Sequence, residues 1–206
     1  ADVPGAHVAV TAALRAVGER RIARARGRPA VALLFRVALA DGAAAERARV
    51  ARRVRAQRHE VALAARDEWR LKECASELGA RRVVMDCTQP GAVTAAVDAA
   101  VTEGCRLLGV VNCIGTILLK PAHLTSDEEW RATLDTNLTS SFLLLREAAR
   151  RMMTSGGGSI VFCSTVAAER GLFNHEAIAA AKAGVEGLTR RSEEHTSELQ
   201  SQFRIS

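Results

Sequence analysis

Short apolar runs separated by helix-length segments constrain this chain more than any other feature. The run AVALLF at residues 30–35 shows no polar alternation, the pattern of a strand buried on both faces. Comparable runs stand at residues 60–65, 82–85, 107–111 and 159–163. Between them the pattern predicts helices over 68–78, 91–101, 141–153 and 176–190. Ser126 followed three residues on by Glu129 is a capping box that opens a further helix, DEEWRATLDTNL. Connections of this length exceed a hairpin, so successive strands must pair in parallel through right-handed crossovers. The expectation is an α/β fold, a doubly wound parallel sheet with five visible strands.

Charge is distributed unevenly along that pattern. Residues 1–58 hold thirteen Arg, no Lys and four acids, a balance of +9; the rest of the chain holds sixteen bases and nineteen acids, or −3. Residues 36–58 are dense in Ala and Arg, helical by propensity but with only a thin apolar stripe. That vocabulary is what GC-rich DNA yields in a wrong frame, and a frame shift over about residues 36–58 is expected. An arginine-rich front suggests a nucleic-acid arm, but its only aromatic, Phe35, falls in a strand, so no nucleic-acid partner is expected. Residues 6–17 lack a basic flank and are interrupted by Arg15, which does not read as a signal peptide. Residues 1–29 are expected to be a non-native leader. The longest mainly apolar stretch, residues 107–119, is shorter than the roughly 18 residues of a membrane span, and no membrane partner is expected. Five scattered Cys with no C-x-x-C pair point to thiols in a reducing compartment, hence a cytoplasmic protein.

Ligands of doubly wound sheets bind outside the carboxyl ends of the strands. There stand Arg66, Asp86, the run Asn112-Cys113-Ile114-Gly115, and Ser164-Thr165. Taken with Thr136-Asn137-Leu138 and Ala179-Ala180-Ala181-Lys182, this resembles the short-chain dehydrogenase/reductase family over about residues 30–190. VVNCIG is similar to that family's N-N-A-G motif, TNLTSSF to the helix with its catalytic Asn, SIVFCSTVA to its serine strand, and IAAAKAGVEGLTR to its Y-x-x-x-K helix. The resemblance implies a Rossmann-like domain and an oxidoreductase that moves a hydride between a nicotinamide cofactor and a carbonyl or alcohol substrate. It implies that Asn137 holds a relay water, Thr165 or Ser164 orients the substrate, and Lys182 holds the ribose. Asn112 and Gly115 line the cofactor. Arg66 favours NADP over NAD, and Asp86 either accepts from the adenine amino group or caps its own turn. The intact parent is expected to be a homo-oligomer through its two long helices.

Three positions depart from the family's pattern. Its glycine-rich phosphate loop is replaced after Phe35 by RVALADG, with one Gly where three are needed. Its proton-donating Tyr is replaced by Ile178, and the chain contains no Tyr. His175 stands just before that helix, yet a His at a helix start more often caps than donates, so the proton donor stays unassigned. HEAIA lacks the second His of a zinc-protease helix, and no metal is expected. Residues 191–206 resemble a translated sequencing adapter and are expected to be an artefactual tail, leaving the sheet incomplete at its C-terminus. The reading is therefore an inactive fragment of an NADP-dependent oxidoreductase, or else a non-catalytic dinucleotide-binding or scaffold relative.

Overall fold

The structure, a computed structural model, describes residues 30–35, 59–101, 105–194 and 199–204. The leader, the Ala/Arg-rich crossover at 36–58 and the expected phosphate loop within it lie outside the described residues. Strands β1 (Ala30–Phe35), β2 (His59–Ala65), β3 (Arg81–Val84), β4 (Arg106–Asn112), β5 (Gly158–Cys163) and β6 (Leu199–Arg204) form one sheet in the order β3-β2-β1-β4-β5-β6. Every pairing is parallel. The order reverses direction at β1, which places the ligand crevice between the ends of β1 and β4. Among the described residues no helix is long and apolar enough to cross a membrane.

Among the described residues five α-helices connect these strands: α1 (Glu68–Leu78), α2 (Pro90–Ala100), α3 (Asp127–Leu134), α4 (Ser140–Thr154) and α5 (Glu176–Glu194). Their starts follow local chemistry. Asp67 accepts from the Arg70 N–H to cap α1, and Pro90 at the first turn of α2 forfeits only an N–H that would have no helical partner. At α3 the capping box is reciprocal: Glu129 N–H donates to Ser126 Oγ at 3.2 Å, and Ser126 N–H to Glu129 Oε2 at 2.9 Å.

Side-chain alternation divides the core into two layers. Val61, Leu63, Val111 and Val161 face one way and meet Leu71, Cys74, Ala75 and Leu78 of α1. Ala62, Ala64, Val110, Ile160 and Phe162 face the other way and meet Val93 and Val97 of α2 with Leu143, Leu144 and Met152 of α4. Each fully buried Leu, Ile, Val or Phe contributes roughly 1.5–3 kcal/mol, so both faces hold the sheet. Between β1 and β4 the register moves from Val31↔Leu107 to Ala32↔Gly109, leaving Leu108 as a bulged residue.

The sheet has one strand more than the sequence pattern suggested. Helix α5 runs on to Glu194 instead of stopping near residue 190, and β6 lies beside β5 from Gly158↔Leu199 to Cys163↔Arg204. The physical reason is that a bare β5 edge would leave a row of backbone N–H and C=O groups without ladder partners. LQSQFR lacks the apolar run of a buried strand, so hydrophobic pattern alone gave no signal for it.

Candidate functional site

Among the described residues a buried polar constellation lies where β4 and β5 end, beside the N-terminal half of α5. Asn112, the last residue of β4, is buried; its Nδ2 donates to Ser141 Oγ at 3.0 Å and its Oδ1 accepts from the Ile114 N–H at 3.0 Å. Ser141 passes the chain on by donating to the Asn137 carbonyl at 2.8 Å. Asn137 is fully buried, and its amide makes three bonds: to the Thr133 carbonyl at 2.9 Å, to Thr116 Oγ1 at 3.2 Å, and from the Thr116 N–H at 3.2 Å. The sequence placed Asn137 inside a helix, where its low propensity pointed to a kink or a water relay. The structure puts it in a π turn, Asp135–Thr139, joining α3 to α4, an irregularity that often accompanies functional sites.

Lys182 reaches this cluster from α5. Its Nζ donates to the Cys163 carbonyl at 3.0 Å and to the Ile114 carbonyl at 3.4 Å, and the residue is buried. Burial pushes its pKa down, opposed by the neighbouring Cys163 and Cys113 sulfurs. An ammonium has three donors, so one remains for a ligand oxygen after the two carbonyls are served. A Cβ at Gly115 would stand 2.9 Å from Asn137 Oδ1 and 3.4 Å from Lys182 Nζ, which is why the backbone there must be glycine. On α5 a Cβ at Gly184 would come 2.8 Å from Leu138 Cδ2, so that side chain on the π turn would have to shift.

The two candidate hydroxyls are held differently. Ser164 Oγ donates to buried Glu186 Oε1 on α5 at 2.8 Å, and Arg190 stands 3.7 Å from the other carboxylate oxygen. Thr165 Oγ1 accepts from the Ala167 N–H at 3.3 Å across a single 3-10 turn, leaving its own O–H to donate elsewhere. Ile178 is buried, and His175 Nδ1 lies 2.6 Å from the Phe173 carbonyl, engaged with its own turn.

Arg66 and Asp86 stand apart from this cluster, at the ends of β2 and β3. With β1 between β2 and β4, that is two strand spacings or more, roughly 10 Å. Arg66 is exposed, while the neighbouring Asp67 is occupied in capping α1. Asp86 Oδ1 accepts from the Thr88 N–H at 3.0 Å and from its hydroxyl at 2.8 Å. Those bonds, with a smaller contribution from Arg66, hold its pKa below the usual carboxylate value.

Sequence reasoning overlooked Thr116, Ser141 and Glu186, each of which bonds a residue that it did single out. It also overlooked the thiol pair. Cys113 Sγ and Cys163 Sγ lie 3.3 Å apart beside Lys182. Position at the carboxyl ends of two adjacent strands, Cys113 just after β4 and Cys163 closing β5, was the available signal.

Comparison with known proteins decides the family. The family profile described as "Enoyl-(Acyl carrier protein) reductase" matches residues 42–195. The chain belongs to the short-chain dehydrogenase/reductase family. It is 37% identical over 121 residues to a 3-alpha-(or 20-beta)-hydroxysteroid dehydrogenase of Mycobacterium bovis, a match covering 58% of this chain and 46% of that relative. The chain thus spans about half the length of the curated relatives it matches. Among solved short-chain dehydrogenase structures, one from Mycobacterium smegmatis superposes with a TM-score of 0.75 at 29% identity, covering 87% of this chain and 76% of that one. A single-site variant of the actinorhodin polyketide ketoreductase, solved with NADPH, gives a TM-score of 0.71 at 25% identity, covering 83% of this chain and 67% of that one. The profile match begins inside the Ala/Arg-rich segment, ahead of the first strand-end residue of the site.

Proposed function

We propose that the protein this chain represents is an NADP-preferring oxidoreductase of carbonyl or alcohol substrates, and that the chain as it stands binds dinucleotide without turning it over. The observation that carries this is Lys182, buried between the ends of β4 and β5 with one ammonium hydrogen left for a ligand. A ribose diol offers the oxygen acceptor that this remaining donor can take. The nicotinamide, when bound, supplies or accepts hydride at the substrate carbon.

Lys182 would hold the ribose, and Asn112 and Gly115 would form the wall on which it rests. Asn137 would position a relay water, and Thr165, whose O–H is left over, would orient the substrate oxygen in preference to Ser164, whose O–H serves Glu186. Arg66 would meet the 2′-phosphate of NADP, and a related ketoreductase with NADPH is consistent with that preference. Asp86 would stiffen the turn beneath it. The reading includes a cytoplasmic protein whose intact form self-associates through α4 and α5, the first of which leaves Phe142 and Met153 exposed.

Titration of the chain with NADPH and NADH, followed by nucleotide fluorescence, tests the proposal. NADPH is expected to bind more tightly, and Lys182→Ala to weaken it about tenfold or more, the loss of one charge-assisted hydrogen bond. Equal affinity of the wild-type chain and Lys182→Ala for NADPH would overturn it.

A second reading, a non-catalytic dinucleotide-binding relative, is favoured by Ile178, which has no proton to give. Ile178→Tyr restores a phenol one helical turn before Lys182, with Ile178→Phe as the control for bulk. Turnover of ketones by the Tyr variant alone supports the oxidoreductase reading. Binding with no turnover in either variant supports the non-catalytic one.

A further inference from the structure

The five cysteines are all described, and none is in a disulfide. Two of them are singled out by topology. Asn112↔Phe162 is the last pair of the parallel ladder between β4 and β5, so Cys113 and Cys163 are the next residues in the same register. Neighbouring strands lie about 4.8 Å apart, inside the roughly 4.4–6.8 Å that a disulfide asks of its two Cα atoms. Both side chains point to the same face, and Cys113 packs against the edge of the α1 layer. Their sulfurs already stand 3.3 Å apart, so bond formation requires them to close by a little over 1 Å. Both residues are half-buried, which leaves a route for a small reagent.

We propose that Cys113 and Cys163 are a redox-active dithiol, a modification site that closes to an intramolecular disulfide across the ends of β4 and β5 when the chain meets a low-molecular-weight disulfide. The proposal is independent of which nucleotide the chain binds.

Cys163 is the attacking sulfur. The hydrogen bond from Cys113 and the nearby Lys182 ammonium favour its thiolate, while the same hydrogen bond and burial hold Cys113 protonated. The Cys163 thiolate attacks one sulfur of the reagent R–S–S–R, forming a mixed disulfide and expelling one thiolate. Cys113 then gives up its proton and attacks Cys163 Sγ, which expels the second thiolate. The two protons lost by the cysteines end on the two released R–SH molecules. The protein is oxidised by two electrons and the reagent is reduced by two, with nothing left over.

The test uses the full chain treated with oxidised glutathione, quenched with an alkylating agent, and mapped by mass spectrometry without reduction. The expected product carries no glutathione, has lost two alkylatable thiols, yields one Cys113–Cys163 cross-linked peptide, and reverts with dithiothreitol. Cys113→Ser is expected to trap glutathione on Cys163, because the resolving thiol is missing. Cys163→Ser is expected to slow glutathione uptake by Cys113. Far-UV circular dichroism verifies that both variants keep the helices of the parent. The same treatment in urea is expected to lose the preference for this pair. Cross-links distributed among other cysteines in the folded chain, a lasting glutathione adduct on Cys163 with Cys113 intact, or equal cross-linking in urea would each overturn the proposal.

Discussion

Two strand-end regions of one sheet treat their polar residues in opposite ways. Where β4 and β5 end, Asn112, Asn137, Ser141 and Lys182 are buried and bonded to groups far away in sequence. Where β2 and β3 end, Arg66 is exposed and Asp86 bonds two residues along its own turn. A buried polar group costs free energy unless every bond is supplied, so the first region is a network in which each member fixes the next. The second region is a set of local turns that solvent can repair. The contrast separates residues whose loss disturbs the fold and the site together from those whose loss is felt only by a ligand.

The largest effect is expected from Asn137→Ala, which removes a fully buried amide that bonds the Thr133 carbonyl and both the N–H and the hydroxyl of exposed Thr116. Urea unfolding should show a loss of about 2–3 kcal/mol or more, and NADPH binding should fall with it. A loss under about 0.5 kcal/mol would mean that water reaches the π turn, and the contrast between the regions would fail.

Gly115→Ala comes next. Its Cβ would press on Asn137 Oδ1 at 2.9 Å and crowd Lys182 Nζ. We expect a destabilisation of roughly 1–3 kcal/mol, the usual cost of overpacking, with nucleotide affinity reduced in the same variant. Thermal melts and fluorescence titration check the two halves of that statement.

Lys182→Met sharpens the comparison through pH. Burial lowers the pKa of Lys182 in the fold, so the unfolded chain binds the proton more readily. Stability tied to this group is therefore lowest at pH below the folded value, and rises as pH climbs from the folded value towards that of an ordinary lysine. Chemical denaturation across that window, from below the lowered value up to that of an ordinary lysine, should show the rise in the wild-type chain and its absence in Lys182→Met. Parallel curves would place Lys182 in a solvated position.

Asp86→Ala and Arg66→Ala should have the smallest effects on the fold. Asp86→Ala loses a two-residue turn contact worth about 1 kcal/mol. Arg66→Ala should leave stability within about 0.5 kcal/mol, yet lower the preference for NADPH over NADH. If instead both nucleotides weaken equally, Arg66 does not read the 2′-phosphate.

Much of the fold was legible because periodicity is a local property. The run AVALLF matches β1 residue for residue, and the predicted helix over 68–78 matches α1. The capping box of Ser126 and Glu129 was readable because its members are three residues apart. The site was legible in part: Lys182 stood out as one charge on an apolar helix face, and Asn137 as an amide within a helix. Thr116 was not, since a Thr in a loop carries no sign that its backbone and hydroxyl will both bond an amide 21 residues away. Glu186 was equally silent, because a glutamate on a helix is usually solvated.

The amino-acid sequence by itself determined the doubly wound parallel sheet, the family, and the absence of a phenol at Ile178, because each follows from residue type at a fixed short spacing. Only the tertiary structure decided that Asn137 sits in a π turn, that Ser164 is taken by Glu186 while Thr165 keeps its proton, that Cys113 meets Cys163, and that residues 199–204 pair as a sixth strand. Those outcomes depend on strand register and on which helix covers which strand end, and such contacts are set by the packing of the whole chain.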